Sequence, residues 1–492
     1  MTGAAIMIVE ILGAKMLSPY VGLSHFVWTA QIAVTLVALA CGYYVGGRLA
    51  DRSQNPGGLY RALLAAAGYL VLTVLICEPV AYWCLDFKLA LGSLLASAIL
   101  FFVPLALLAM TGPFLIRVVA SSVAGVGSTA GRLTAIGTLG SFAGTICIGY
   151  LMLPLLPNSV SMYLTAAALT LVGGGYFAFF NRQSRAPLAT AAALGLGIAL
   201  LASRAPERHY ADFIERFRGN SQFGNLQVLE RRGGNLRIFS NDNLIQNTYD
   251  PIRKQSVSTF THVLAGLARA YTTNINDVLC IGLGVGIVPM EFARRGARVD
   301  VVEINPAVVP VAVQFFDLDA GKLEISLDDG RHFLNRCRKQ YDVIVLDAFL
   351  GDSSPSHLMT REAFAAMRRV LRPGGTLVIN TFCHLEADRD FFAASLSRTL
   401  KAVFAGVRMH GEGDQNYFVA TDRPEPEFVR PPELEGAYPA IRHAAEAVFS
   451  RLVETAPEHG RVLTDDFNPA EFYDAGNREE TRRSLAQRAR RM

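Results

Sequence analysis

The first 203 residues contain only 13 charged side chains, nine basic and four acidic (Glu10, Asp51, Glu78 and Asp86). A soluble unit of that size needs a charged surface that this segment cannot supply. A helix needs about 20 consecutive apolar residues to cross a bilayer core of about 30 Å. Seven stretches qualify as candidates: 3–22, 26–48, 59–84, 89–116, 130–155, 158–181 and 187–203. The first of these contains Glu10 and Lys15, and the last is short and rich in Ala and Gly. Glycines recur within the stretches ("GYYVGG", "GTLGSFAGTICIG"), in keeping either with close helix packing in lipid or with simple backbone permissiveness. A multispanning α-helical membrane domain over 1–203 is therefore expected, with the lipid bilayer as a partner.

From residue 204 onward, 37 basic residues face 38 acidic ones, so the chain's pI of about 8.6 comes from the apolar half and leaves no footprint for nucleic acid. The seven cysteines are scattered, with no CxxC and no Cys/His spacing suited to a metal. Reduced thiols are expected, with neither a disulfide framework nor a metal site. The N-terminus has no basic n-region, so no cleavable signal peptide is expected.

The second half reads as three segments. Residues 204–272 alternate in short runs broken by Gly-Gly and Asn-Asp ("GNLQVLE", "NLRIFSND", "NLIQNTY"), which predicts a small β unit followed by a helix. Over 273–430, strand and helix patterns take turns: "DVLCIGLG", "VPMEFARRG", "RVDVVEIN", "YDVIVLDAF", "REAFAAMRRVLRPGG" and "TLVINTF". That order predicts a doubly wound, largely parallel α/β Rossmann-like sheet with ligand sites at the strand C-termini. Residues 431–492 read as a peripheral lobe and a basic tail.

Candidate site residues follow from that placement. Gly282, Gly284 and Gly286 in "GLGVG" permit a tight strand-to-helix turn close to a ligand. Glu303 ends the next strand, 17 residues beyond Gly286, where a carboxylate can accept both ribose hydroxyls. Asp329 in "LDDGRHFL" follows the next strand, within reach of an adenine amino group. The set describes an adenosyl pocket without a phosphate loop. Asp347, ending the apolar strand "YDVIVLD", is positioned either to orient and deprotonate an amine or to cap the next helix. Asp352 and His357, further along in "GDSSPSHL", are additional candidates. Glu10 marks either a functional membrane site or an interfacial pair with Lys15.

These motifs, together with "SQFGNLQVLE", "SNDNLIQNT", "VVEINP" and the late "LTDDFNPAEF", resemble the spermidine synthase (aminopropyltransferase) family over about 221–466. The whole chain resembles bacterial fusions of that domain to a multispanning membrane domain. The resemblance implies a transferase that uses decarboxylated S-adenosylmethionine or S-adenosylmethionine and releases 5′-methylthioadenosine. It implies Gln246 and Glu303 at the ribose, Asp329 at the adenine, Asp347 at an attacking small-molecule amine, and a homodimer as the common assembly. The chain also departs from the family. Val285 stands where the soluble synthases carry an aspartate for the aminopropyl ammonium. Phe260 and Thr261 stand where a Tyr-Gln pair contacts the acceptor, and Leu350 stands where a second acid is expected. Alternative readings are an S-adenosylmethionine lyase or cyclase, a methyltransferase, and a transporter with an adenosyl-binding domain.

Arg48, Arg52 and Arg61, then Arg117 and Arg132, then Arg182 and Arg185 fall in alternate loops, which the positive-inside tendency assigns to the cytoplasm. A true seventh span would then export the catalytic domain, whereas a sulfonium nucleoside donor and free thiols belong inside. A bacterial inner-membrane protein with a cytoplasmic catalytic domain is the expectation.

Overall fold

The computed structural model describes residues 1–22, 25–53, 55–120, 125–180, 185–204, 212–349, 355–386, 388–434, 437–480 and 483–484. The chain divides into two compact units, 1–209 with 220–224 and 210–219 with 225–492.

The described part of 1–204 is built of helices and their connections. Among the described residues, six helices are long and apolar enough to cross a membrane: α1 (Thr2–Val21), α2 (His25–Arg52), α3 (Gly57–Cys84), α4 (Leu89–Val119), α5 (Val126–Leu155) and α6 (Asn158–Phe179). The seventh, α7 (Arg185–Arg204), has an apolar stretch confined to Ala186–Leu201, shorter than the other six. Two helices loosen into π geometry at Ala98–Phe102 and Cys147–Met152. Each π stretch runs up to a proline, Pro104 or Pro154, whose missing N–H and bulky ring cannot continue the i→i−4 ladder.

The second unit opens with a five-stranded sheet in the order β1 (Phe213–Ser221), β2 (Gly224–Arg231), β3 (Arg237–Asn241), β4 (Leu244–Asp250), β5 (Gln255–Ser256). Asp242 and Asn243 both adopt positive φ (47° and 64°) between the paired residues Asn241 and Leu244. Asn and Asp tolerate that conformation, which gives the two-residue hairpin its fit to the strand twist. Helix α8 (Thr259–Tyr271) leads into the main sheet.

That sheet alternates β6 (Asp277–Ile281), α9 (Ile287–Arg294), β7 (Arg298–Glu303), α10 (Val308–Phe315), β8 (Glu324–Leu327), α11 (Gly330–Arg336), β9 (Tyr341–Leu346), α12 (Arg361–Arg369), β10 (Leu371–Phe382) and α13 (Phe391–Lys401). It ends in β11 (Gly406–Glu412) and β12 (Gln415–Thr421). The strand order is β11-β12-β10-β9-β6-β7-β8. β8, β7, β6, β9 and β10 pair in parallel, and β12 is antiparallel to both β10 and β11. The chain first builds outward from β6 to β8 and then returns to β9 on the other side. The order therefore reverses between β6 and β9, the point where such sheets open a crevice at their C-terminal edge.

Side chains alternate across the sheet as a two-residue period requires. Val278 and Cys280 of β6 and Val343 and Val345 of β9 join one apolar cluster, with Leu264 and Val288. Leu279, Ile281, Ile344 and Leu346 join the other, with Leu334, Phe364 and Leu396. Helix α14 (Pro439–Ser450) sends Ala445, Val448 and Phe449 into the first cluster, and a Cβ on Gly266 would lie 2.5 Å from the Phe449 ring. The 431–492 segment, expected to be peripheral, thus helps to build the core beside α8.

Candidate functional site

β6 ends at Ile281, and the chain turns through Gly282, Gly284 and Gly286 with φ of 100°, 54° and 85°. Only glycine adopts these angles without strain. At Gly282 the constraint is also steric, since a Cβ there would lie 2.2 Å from the Asp347 carbonyl oxygen. That close approach brings the ends of β6 and β9 together, with the Asp347 N–H donating to the Ile281 carbonyl at 3.0 Å. The glycine loop and Asp347 thus meet at the reversal point of the sheet.

Glu303, at the end of β7, is 8% exposed and works as a brace. Its Oε2 accepts from the Leu283 N–H at 3.0 Å and its Oε1 from the Asn305 N–H at 2.8 Å. Burial pushes its carboxyl above the usual range, and the backbone N–H groups offset part of that rise. The Ile304 N–H bonds the same carboxylate, so three of its roughly four acceptor sites are taken by backbone.

Asp329 caps α11, with its Oδ1 accepting from the N–H groups of Arg331 (2.8 Å) and His332 (3.0 Å). Its Oδ2 lies 2.9 Å from His357 Nε2. Burial raises its carboxyl, but the His332 N–H and the His357 imidazole outweigh that and hold it below the usual range. His357 is held in turn by the late "LTDDFNP" motif. The Asp465 carboxylate accepts from the Thr360 hydroxyl (2.6 Å) and pairs with Arg331 (2.8 Å). The Asn468 amide donates to the Ser356 carbonyl (3.0 Å) and the Arg361 N–H to the Leu463 carbonyl (2.8 Å). The motif is a clamp on residues 356–361, a role its sequence did not reveal.

Asp347 is half-buried at the end of β9. Asn380 Nδ2 donates to its Oδ1 at 2.8 Å, and Gln415 Nε2 donates to Asn380 Oδ1 at 3.2 Å. Burial pushes the Asp347 carboxyl up to about 6, and the Asn380 bond offsets only part of the rise. Tyr417, opposite Asn380 on β12, is raised by burial and by the Asp347 charge, so its hydroxyl stays protonated. Asp277, at the opposite end of β6, provides the contrast. Burial would raise it too, but hydrogen bonds from Arg298 and Arg372 bring it down to about 2, as befits a structural ion cluster.

A cleft beside the glycine loop is lined by Asn247, Phe260, Thr261, Gly282, Gly284 and Asp347, with Ile287, Val288 and Pro289 of α9. Of the residues expected at the ligand, Gly282, Gly284 and Asp347 line this cleft, beside Phe260 and Thr261, while Gly286, Asp329 and His357 are not in its lining and Glu303 braces the loop from behind. Asp352 lies outside the described residues. Two expectations shift. The side chain of Val285 is 1% exposed inside the apolar core, and its contribution to the loop is its N–H. That N–H donates to Oδ1 of Asn247, not to Gln246, at 3.3 Å. The ladder of β3 and β4 slips between Phe239 and Ser240, leaving Gln246 as the extra residue and resetting the alternation at Asn247. Asn247 is 4% exposed, and among the described residues its buried Nδ2 has no partner. An orphaned buried donor on a side chain lining a cleft is what a polar ligand would satisfy. The Cβ-free loop, the orphaned amide and the Asp347 carboxylate suit a polar nucleoside in chemical type, although the cleft's free space is only about 10 Å³ and Glu303 lies outside its lining. Among the described residues, no group of three or more His, Cys, Asp or Glu side chains is arranged to hold a metal.

Residues 258–410 match the spermine/spermidine synthase domain family. The N-terminal histidine N-methyltransferase of Emericella nidulans is 35% identical over 143 residues, 28% of this chain and 25% of that protein. Putrescine N-methyltransferase 1 of Nicotiana tabacum is 26% identical over 267 residues, 53% of this chain and 66% of that one. The chain thus spans only a quarter of the fungal enzyme's length. A probable spermidine synthase structure from Corynebacterium glutamicum aligns with 51% of this chain and 98% of its own at 18% identity and a TM-score of 0.38. The polyamine aminopropyltransferase of Vibrio vulnificus is 30% identical over 232 residues, 42% of this chain and 72% of that enzyme. With that coverage added to the domain match, the chain belongs to the spermine/spermidine synthase family of transferases.

Proposed function

We propose that the second unit transfers an alkyl group from an adenosyl sulfonium donor to a small-molecule amine, in the manner of an aminopropyltransferase, and releases 5′-methylthioadenosine. One observation carries the reading: a half-buried carboxylate, Asp347, at the reversal point of the sheet, raised to about 6 and aimed by Asn380. The donor, when bound, supplies an alkyl carbon already activated by its positive sulfur. The protein's task is then to hold a neutral amine in line and keep water out. The amine nitrogen forms the new C–N bond as the C–S bond breaks, the electron pair of that bond goes to sulfur, and the amine proton goes to Asp347. A carboxyl near 6 is ionised at neutral pH yet basic enough to take that proton. Glu303 would hold a ribose hydroxyl, and the apolar wall of Phe260, Ile287 and Val288 would exclude water.

A second reading, with intact S-adenosylmethionine as donor, is favoured by Asn247. Among the described residues, its Nδ2 has no partner and suits an acceptor such as a carboxylate, and Asp347 is the one acid in the lining to receive an ammonium. An intact donor opens two outcomes, methyl transfer, or loss of methylthioadenosine by cyclisation or elimination. Incubating the full-length protein with each donor and a diamine, and identifying the nucleoside released, tests both readings. Methylthioadenosine with a new aminopropyl amine supports the first, and S-adenosylhomocysteine supports methyl transfer. No nucleoside product from either donor overturns both.

The six apolar helices support a membrane-embedded first unit, and we place the catalytic unit on the cytoplasmic side of a bacterial inner membrane. Periplasm-only reporter fusions at Arg204 and at the C-terminus should be silent. An active reporter at either site overturns that placement.

A further inference from the structure

The first unit contains a cavity of about 910 Å³ bounded by α1, α2, α4 and α5. Residues at helical spacing line it: Gly3, Met7 and Glu10 on α1, Leu39 and Tyr43 on α2, and Thr134, Thr138 and Ser141 on α5. α5 is inverted relative to a helix of a soluble protein. Its small and hydroxyl residues face the cavity, while Ile136, Leu139 and Phe142 on other faces are 61–67% exposed. An acid and several hydroxyls set in a largely apolar lining suit a ligand with one polar end and an apolar body.

Glu10 gives that space its chemistry. It lies eight residues into α1, roughly 12 Å along the helix at 1.5 Å per residue. Among the described residues Glu10 makes no hydrogen bond or ion pair, so the pairing with Lys15 that its sequence allowed is not formed. The cavity's other acid, Asp51, sits 3.4 Å from Arg117. An unpaired carboxylate at this depth is costly unless a cation meets it.

We propose that this cavity binds a membrane-borne amine, a protonated primary amino group on an apolar chain. The ammonium is held by Glu10 and the α5 hydroxyls, and the chain lies along Ile6, Leu39, Leu108 and Leu133. The ligand class follows from Glu10 and the lining alone, and it coincides with the amine substrates proposed for the second unit. A free alkylamine and an aminolipid share this chemistry.

The test uses full-length protein in phosphatidylcholine nanodiscs and a dodecylamine carrying a photoreactive diazirine, with labelled peptides mapped after irradiation. Labelling is expected on the cavity faces of α1 and α5. Dodecylamine should compete for it and dodecanol should not. Glu10→Gln should reduce labelling about tenfold or more, the scale of a lost charge-assisted contact. Thr138→Phe, which keeps the charge but fills the space, should reduce it comparably. Gel-filtration elution and thermal unfolding like the wild type's show that both variants are folded, and the labelling itself does not depend on the enzyme reading. Exchanging phosphatidylcholine for phosphatidylethanolamine separates the sources: competition by the lipid names a headgroup, and its failure to compete names a free amine. Equal competition by dodecanol, or Glu10→Gln labelling within twofold of wild type, overturns the proposal.

Discussion

Replacing Asp347 with Asn should make the protein more stable above pH 6 while nearly abolishing turnover. Burial raises this carboxyl from its ordinary 3.8 to about 6. At 1.36 kcal/mol per pH unit, the ionised side chain costs the native state up to about 3 kcal/mol. The sign follows from linkage. A group with a raised native pKa contributes its stability in full below the unfolded value and loses it as pH rises through the native value. The wild type should therefore carry no penalty below about pH 4, an increasing one between 4 and 6, and the whole of it above 6. The Asn variant is neutral throughout and keeps the acceptor oxygen that Asn380 Nδ2 requires. The gap in its favour should thus grow by up to about 3 kcal/mol from pH 4 to pH 7. Turnover should fall about 100-fold or more, the scale of removing a positioned base, with donor affinity nearly intact. Pulse proteolysis of full-length protein in urea, reading fragments of the second unit, measures the gap, and methylthioadenosine release measures the rate. A stability gap that stays flat with pH would refute the buried-charge argument, and unchanged turnover would remove Asp347 from the mechanism.

Three further outcomes are expected. Asn380→Ala removes the one hydrogen bond that lowers the Asp347 carboxyl, so the acid limb of the rate–pH profile should move to higher pH; an unmoved limb would mean that another group titrates there. Glu303→Ala should weaken donor binding by about 10- to 150-fold, the worth of a charged hydrogen-bond acceptor, measured by calorimetry. Full affinity would mean that the ribose is held elsewhere. Gly282→Ala combines φ of 100° with a Cβ 2.2 Å from a carbonyl, and should cost at least about 2 kcal/mol and the donor site with it. Wild-type urea resistance would contradict the packing of β6 against β9.

The elements that the sequence disclosed are those governed by local rules. The short apolar runs of β6, β7 and β9, the glycine turn and the terminal carboxylates Glu303 and Asp347 all follow from backbone sterics, burial and where a strand must end. What escaped depends on contacts distant in sequence. Asn380 and Gln415 lie on β10 and β12 and matter only because those strands bring them to Asp347, 33 residues from Asn380. The clamp of Asp465 on Thr360 joins residues 105 apart. Asn247 was hidden for a local reason of another kind. A one-residue slip in the ladder leaves strand alternation intact on either side of Gln246 and reverses which side chain faces inward. Helix α14 falls in the segment read as a peripheral lobe, yet its apolar face fills a gap beside α8 that only the folded unit presents.

The same slip determines which residue can choose the donor. Position 285 holds valine where the soluble synthases carry an acid, so Val285→Asp suggests itself as the way to restore an ammonium partner. The structure argues against it. Val285 is 1% exposed in the apolar cluster, and a carboxylate there would cost several kcal/mol without facing the cleft. Asn247 is the better lever, because its Oδ1 is fixed by the Val285 N–H and its unpartnered Nδ2 belongs to a side chain that lines the cleft. Asn247→Asp keeps the first contact and turns the second from a donor into a charged acceptor of almost the same shape. Wild-type protein should bind intact S-adenosylmethionine at least as well as the decarboxylated form. The variant should shift the ratio of the two affinities about 10- to 150-fold toward the decarboxylated donor, the worth of one charge-assisted hydrogen bond. Calorimetry with both donors on both proteins reads the ratio directly. A wild-type preference of tenfold or more for the decarboxylated donor would refute the argument. So would an equal loss for both donors in the variant, since the amide would then touch the nucleoside that they share.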